Sequence, residues 1–221
     1  MEPPGFVAGV VLAGGRSSRM GGGDKCLAPL AGRPVLAHVI ERLKPQVSAV
    51  AINANEDPTR FANFGFPVIA DRIAGPAGPL AGMHAALEWA KASAPGASHV
   101  VIVAGDTPFL PLNLVARFLT ALKETGCASC VARSPEGVHP VIGLWPVAML
   151  VELETALRRG TRKVGAWAAQ QGAAEVFFPT AQLGCRSIDP FYNINRPEDL
   201  ATAAALLDQN ANASGIDAAD L

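Results

Sequence analysis

A chain of 221 residues, half of them apolar, can bury one sizeable core and by length is one domain or a tight two-lobed one. Its 18 Lys and Arg stand against 19 Asp and Glu, which excludes the broad positive field that holds proteins on nucleic acid or anionic membranes. No run of about 18 uncharged apolar residues is present to span a bilayer, so any anion bound here must be caught locally.

The opening "MEPPGFVAGVVLAGG" carries Glu2 and two prolines where a signal peptide needs positive charge, and it reads as a first strand over 5–12. There follows "VVLAGGRSSRMGGGDK", a glycine-rich loop with three cations, Arg16, Arg19 and Lys25. Glycine loses more backbone freedom on folding than any other residue, so such a loop suggests a close approach of backbone to an anion, phosphate first. "RPVLAHVIERL" then places Val35, Leu36, Val39, Ile40 and Leu43 on one helix face with Pro34 at the start.

Short apolar runs predict strands over 48–53 and 66–71, followed by a helix over 80–92. "HVVIVAGD", over 99–106, is the most continuously apolar run, as expected of a central parallel strand buried on both faces. A helix over 112–123, strands near 127–132 and 138–145, helices near 147–158 and 164–171, and a strand near 175–178 come next. "FYNINRPEDLATAAALL" reads as a strand entering a last helix, and the small polar residues of 208–221 as a disordered tail. This alternation predicts an α/β fold, a Rossmann-like three-layer α/β/α arrangement with a mostly parallel sheet.

The four cysteines carry little. Cys127 and Cys130 in "CASC" have the spacing of a redox pair or half a zinc site, but no second pair follows, and on a strand residues three apart point to opposite faces. They read as buried thiols, a usage suited to a reducing cytoplasm.

Ligands of open α/β sheets bind beyond the carboxyl ends of the strands. The glycine loop follows the first predicted strand, Asn53 ends the second, Asp71 the third, and Asp106 closes "VVIVAGD". Each residue alone also serves as a turn former or helix cap; four strand ends delivering polar groups to one rim point to a site. The loop matches neither G-x-x-x-x-G-K-[ST] nor G-x-G-x-x-G, so its phosphate contacts follow another geometry, with Gly14 and Gly15 freeing backbone N–H groups. Arg16, Arg19 and Lys25 would supply charge, and a Mg²⁺ ion between Asp106 and a triphosphate would relieve their repulsion.

The stretches "LAGGRSSRMGGGDKCLAPLAGRPVLAHV", "INAN", "GPLAGM", "AGDTPFLP", "HPVIGLW" and "NINRPEDL", in this order, resemble the molybdenum cofactor guanylyltransferase family. That family lies within the nucleotidyltransferases that share L-x-G-G-x-[SA]-x-R-M-G-x-x-K. The resemblance runs from about residue 7 to 207. It implies the nucleotide-diphospho-sugar transferase type of fold, a single domain over 1–207, a nucleotide-binding half over about 5–110 and an acceptor-binding half over about 111–207. It further implies transfer of GMP from GTP to the terminal phosphate of molybdopterin or Mo-molybdopterin, with Mg²⁺ as cofactor and pyrophosphate as second product. Carried over by position, Leu12, Ala13, Gly14 and Gly15 line the nucleotide and Lys25 meets its phosphates. Asn53 and Asp71 meet base or ribose, Gly78 lies beside the base, and Asp106 holds the metal. Asn193 and Asn195 lie on the acceptor side, and Arg19, Lys25 and Asp106 form the catalytic set.

A phosphate monoester is already a nucleophilic anion, so in-line transfer needs no general base, and positioning plus electrostatics carry the reaction. The histidines therefore stand aside: His38 and His84 on helices, His99 opening a strand, and His139 in "VHPV" as a loop of the acceptor side. Rival readings are a cytidylyltransferase, in which Ala tends to replace Gly14, a sugar-nucleotide enzyme, and a non-catalytic nucleotide-binding regulator. The expected setting is cytoplasmic, without nucleic acid or membrane, with transient contact to a molybdenum insertion enzyme or an apoenzyme chaperone that spares a fragile cofactor.

Overall fold

A computed structural model describes residues 6–14, 24–73, 78–183 and 186–216, with side chains as far as Leu207. Gly15, Arg16 and Arg19 lie outside the described residues, as does 217–221. In chain order the first half comprises β1 (Val7–Leu12), the hairpin β2 (Pro29–Leu30) and β3 (Arg33–Pro34), α1 (Val35–Leu43), β4 (Ala49–Asn53), β5 (Val68–Ile69), α2 (Pro79–Ser93), β6 (His99–Ala104) and α3 (Leu114–Thr125). The second half comprises β7 (Cys130–Ser134), β8 (Gly137–Pro146), α4 (Leu150–Arg158), α5 (Val164–Gln170), β9 (Ala174–Phe177), the hairpin β10 (Ala181–Leu183) and β11 (Arg186–Ile188), and α6 (Pro197–Ile216).

Seven strands form one sheet in the order β5-β4-β1-β6-β8-β7-β9. β5, β4, β1 and β6 are mutually parallel, β8 runs against β6 and β7, and β9 is again parallel to β7. Alternation along each strand sends successive side chains to opposite layers. Val7 and Val11 of β1 join Leu36, Val39 and Leu43 of α1 and Phe118 of α3 on one face. Ala8 and Val10 join Leu80, Met83 and Leu87 of α2, Leu153 of α4 and Trp167 of α5 on the other. The result is the three-layer α/β/α arrangement with a mostly parallel sheet. Trp145 of β8 and Trp167 of α5 pack ring to ring with centroids 4.6 Å apart, tying the second half's helices to the sheet.

A third, smaller cluster of Leu30, Val35, Phe109, Leu183, Ile188, Ile194 and Leu206 holds the two hairpins and α6 against the end of the sheet. The sequence pattern did not predict these hairpins, whose strands of two or three residues are too short for any periodicity to register.

Three expectations need correction. "FYNIN" is a loop and not a strand: the Asp189 side chain accepts a hydrogen bond from Phe191 N at 2.7 Å, and the Asp189 carbonyl one from Tyr192 N at 3.0 Å. This local turn chemistry outweighs the strand preference of Phe, Tyr and Ile. α6 continues to Ile216, so the chain beyond Asp208 begins as helix and not as a disordered tail; lengthening a formed helix fixes one residue per added bond and needs no apolar stripe. Cys127 lies before β7 and is only partly buried, and only Cys130 is on the strand and buried as expected; the described cysteines, Cys26, Cys127 and Cys130, are all free thiols. Among the described residues no helix is long and apolar enough to cross a membrane.

Candidate active site

Because β1, β4, β5 and β6 run in one direction, their carboxyl ends share a rim, and a cleft of about 610 Å³ opens there between Leu12, Gly14, Asn53, Asp71, Gly78 and Asp106. A smaller chamber of about 110 Å³ shares Leu12, Ala13, Gly14 and Asp106 with it and adds Lys25 and Cys26. The site thus has a roomy end and a tight, charged end.

At the roomy end Asn53, the last residue of β4, is only 4% exposed. Its Nδ2 donates to the Ile69 carbonyl at 3.1 Å and to Asp71 Oδ1 at 2.9 Å. Asn55 Nδ2 donates to Asp71 Oδ2 at 2.9 Å, and Asp71 N donates back to Asn55 Oδ1 at 2.9 Å. Two amides therefore fix the carboxylate, and each of its oxygens keeps a lone pair for a ligand's N–H.

Two glycines set the wall opposite. Gly78, at the N-cap of α2, has φ 61° and ψ −156°, a region open essentially to glycine alone, and Pro79 behind it starts the helix with no N–H to satisfy. At Gly82, one turn into α2, an added Cβ would collide with Asn53 Oδ1 and stand 3.1 Å from Leu12 Cδ2. The helix approaches the strand ends this closely because position 82 has no side chain. A Cβ at Gly14 would meet only Asn55 Nδ2, at 3.9 Å, so no protein atom crowds that position and it borders the open cleft.

At the tight end Lys25 Nζ donates to Asn195 Oδ1 at 2.6 Å and stands 3.9 Å from Asp106 Oδ2. The loop before α6 is pinned there: Ile194 N donates to the Asp106 carbonyl at 2.9 Å, and the Asn193 side chain comes close enough to the Asp106 carboxyl to favour its charged form. Asp199 Oδ2 accepts from Asn195 N at 2.8 Å and Arg196 N at 2.9 Å, closing the first turn of α6. Burial pushes the Asp106 carboxyl above its ordinary range, while Lys25, its own backbone N–H and Asn193 pull it back. Cys26 also lines this chamber; burial, then Asp24 and Asp106, push its thiol up to about 12, so it stays protonated and inert.

Leu12, Ala13, Gly14, Asn53, Asp71, Gly78 and Asp106 all line the large cleft, and Lys25 the small chamber. Asn193 and Asn195, expected beside the acceptor, reach Asp106 and Lys25 themselves. His139 is on β8 and not in a loop, its Nε2 2.7 Å from Ser134 Oγ, with its pKa lowered by burial. Sequence reasoning missed Asn55, Gly82, Arg60 and Asp24. The first two stand inside the quoted "INAN" and "GPLAGM", where a helical glycine at position 82 was the available signal.

Among the described residues no group of three or more His, Cys, Asp or Glu side chains converges to hold a metal by protein atoms alone. A single carboxylate such as Asp106, facing a chamber sized for phosphate oxygens, is the donor set that suits Mg²⁺ shared with a nucleotide.

Comparison with known proteins gives the family. The MobA-like NTP transferase domain matches residues 9–175. A molybdenum cofactor guanylyltransferase of Mesorhizobium japonicum is 47% identical over 206 residues, covering 91% of this chain and 96% of that protein. One from Cereibacter sphaeroides is 46% identical over 203 residues, covering 92% and 98%. Among solved structures, molybdopterin-guanine dinucleotide biosynthesis protein A of Archaeoglobus fulgidus superposes with a TM-score of 0.68 at 23% identity, covering 91% of this chain and 99% of that one, which speaks for the fold.

Proposed function

The chain belongs to the MobA-like NTP transferase family, among the molybdenum cofactor guanylyltransferases, and from this premise we propose that it transfers GMP from GTP to the terminal phosphate of molybdopterin. The acceptor is molybdopterin with or without bound molybdenum, and the products are the guanine dinucleotide cofactor and pyrophosphate. The observation that carries this reading is the meeting of Lys25 with Asn195 at 2.6 Å and with Asp106 at 3.9 Å. It sets a cation, a carboxylate and an amide from both halves of the chain around a phosphate-sized chamber that opens onto a base-sized cleft.

Guanine fits the roomy end because its N1–H and exocyclic amine are adjacent donors for the two free lone pairs of Asp71, with no side chain at Gly78 or Gly82 to intrude on that end of the cleft. Leu12, Ala13 and Gly14 run along the nucleotide between the two ends. An acceptor phosphate oxygen then attacks the α-phosphorus in line, a new P–O bond forms, and the bond to the bridging oxygen breaks. Negative charge grows on the departing pyrophosphate, where Lys25 faces it, and Arg19 shares its role in the catalytic set that the family resemblance implies. Asn193 and Asn195 orient the acceptor, and its phosphate needs no proton removed. Asp106 would hold Mg²⁺ together with substrate phosphates, supplying positive charge that lets three anionic groups share the chamber. A labile pterin acceptor suits a cytoplasmic enzyme that receives it directly from a molybdenum insertion enzyme and passes the product to an apoenzyme chaperone.

Pyrophosphate release from each nucleoside triphosphate with Mg²⁺ and molybdopterin tests the reading. A base that leaves the Asp71 acceptors unpaired loses about 1–3 kcal/mol per unmet group, so kcat/KM for GTP should exceed that for CTP and ATP by about tenfold or more. Equal use of CTP would move the chain to the cytidylyl reading.

A further inference from the structure

We propose that Arg60 is a positioning residue that ties the base end of the cleft to its phosphate end by holding Asp24, the residue immediately before Lys25. The inference rests on the guanylyl transfer proposed above and assigns one more residue to it.

Arg60 lies on the 3-10 helix Pro58–Phe64, whose first turn is capped by Asp57 through Thr59 N at 2.9 Å. Its guanidinium carbon sits 5.6 Å from the ring centre of Phe61, which is fully buried. From this anchored place the guanidinium makes several contacts at once, including one of 3.8 Å from Nη2 to Glu56 Oε2. Nη1 stands 2.6 Å from Asp24 Oδ2, a short charge contact outside hydrogen-bond alignment. Nη2 reaches the Asn55 carbonyl at 3.4 Å, and Nε donates to the Asp57 carbonyl at 3.2 Å. The side chain of that same Asn55 is the one that grips Asp71. One unbroken chain of contacts therefore runs from Asp71 through Asn55 and Arg60 to Asp24.

Two features mark the chain as more than a surface ion pair. Asp24 is only 12% exposed and its Oδ2 is fully buried, so its charge is compensated in a poorly screened place, unlike an exposed pair that contributes little. Glu56, between Asn55 and Asp57, holds φ 71°, a left-handed conformation costly for a residue with a side chain. That turn aims the Asn55 and Asp57 carbonyls together at Arg60. On the other side Asp24 O accepts from Leu27 N at 3.1 Å and starts the 3-10 turn Lys25–Leu27, so fixing Asp24 fixes where Lys25 begins. A planar fork makes these contacts together in a way a lysine ammonium does not.

The test compares the wild type with Arg60→Gln, Arg60→Lys, Asp24→Asn and the double variant Asp24→Asn, Arg60→Gln. Pyrophosphate release is read with GTP, Mg²⁺ and molybdopterin, and hydrogen exchange is read at the Leu27 and Ala28 amides without substrate. Arg60→Gln should lower kcat about tenfold while KM for GTP moves less than about twofold, because a misplaced Lys25 is felt where charge develops. Exchange at Leu27 and Ala28 should quicken about tenfold. Arg60→Lys should recover less than half of the lost kcat. The double variant, which leaves no buried carboxylate unpaired and so folds even if Arg60→Gln does not, should be no slower than Arg60→Gln. An unchanged kcat, a rise in KM for GTP at constant kcat, or single effects that multiply in the double variant would each overturn the proposal. A wild type that does not turn over GTP would sink the guanylyl reading instead, and the exchange measurement would still decide whether Arg60 holds the Lys25 segment.

Discussion

The two halves of the molecule build their share of the site by different means. In the first half, Asn53 ends β4, Asp71 stands just past β5 and Asp106 just past β6, strands held by the parallel part of the sheet and covered on both faces. Their positions are set collectively, by every ladder bond and core contact behind them. In the second half, Asn193 and Asn195 stand on a loop between β11 and α6 that is anchored by the buried Phe191 and Ile194, while its polar residues are placed by single bonds, chiefly Ile194 N to the Asp106 carbonyl and the two backbone N–H groups taken by Asp199. The strand-end side of the site is thus a rigid template, and the polar groups of the loop before α6 are fitted to it contact by contact. Changes on the template should alter chemistry and leave the fold; changes at the loop's anchors should alter acceptor handling in proportion to the bond lost.

The largest effect is expected at Asp106→Asn. The amide keeps the size and one oxygen but loses the charge that balances a metal, so kcat should fall about 1000-fold. Stability should move the other way. Burial raises the native carboxyl above its ordinary value of 3.8, so the folded state binds a proton more tightly than the unfolded one. Stability then falls as pH rises through the interval between those two values, and the full cost is present above it. The variant should therefore unfold at a higher temperature than the wild type at neutral pH, with the gap closing as pH drops below about 4. A variant less stable than the wild type at every pH would mean that Asp106 ties the loop to the sheet and that the template does not stand by itself.

Lys25→Ala comes next, with an expected loss of about 100-fold in kcat and little change in the melting curve, since a partly exposed cation contributes little to stability. A parallel fall in activity and melting temperature would make the Lys25 to Asn195 contact a structural clasp between the halves. Gly82→Ala probes the template sterically. The new methyl meets the Asn53 amide, so KM for GTP should rise about tenfold while kcat holds, although Ala favours the helix by about 1 kcal/mol. An unchanged KM would show that Asn53 can step aside and that the base end is softer than its burial implies.

The same contrast governs what could be read from the chain alone. β1 and β6 are long apolar runs and Asn53, Asp71 and Asp106 punctuate strand ends, so their common rim follows from the topology of parallel sheets. The loop over 189–196 was misread because Phe191, Tyr192 and Ile194 favour strands one by one, while the Asp189 bonds that bend it depend on side-chain geometry that no periodicity records. Gly82 was visible as a glycine in a helix, but its partner Asn53 lies twenty-nine positions earlier and meets it only across the sheet rim. Arg60 and Asp24 carried no local signal at all, since either residue in a polar stretch reads as a solvated surface charge.

The smallest expected effect is also the one that tests the acceptor half most directly. Asp199 is the third residue of α6, and its Oδ2 reaches back to the N–H groups of Asn195 and Arg196, which otherwise have no partner in the helix they precede. Asp199→Ala removes a cap worth about 1 kcal/mol. That cost has two places to appear. If α6 and the loop unfold as one unit with the sheet, the melting temperature falls and kinetics stay as they were. If the loop is fitted by separate bonds, the global melting curve barely moves, because Leu206 and Ile194 still hold α6 in its own small core, and the loss appears locally as looser placement of Asn195 against Lys25. KM for molybdopterin should then rise about fivefold, the factor that corresponds to about 1 kcal/mol, with KM for GTP unchanged. Steady-state kinetics with each substrate varied in turn, beside a thermal melt, separate the two outcomes. A shared rise in both KM values would mean that the loop and the template act as a single body.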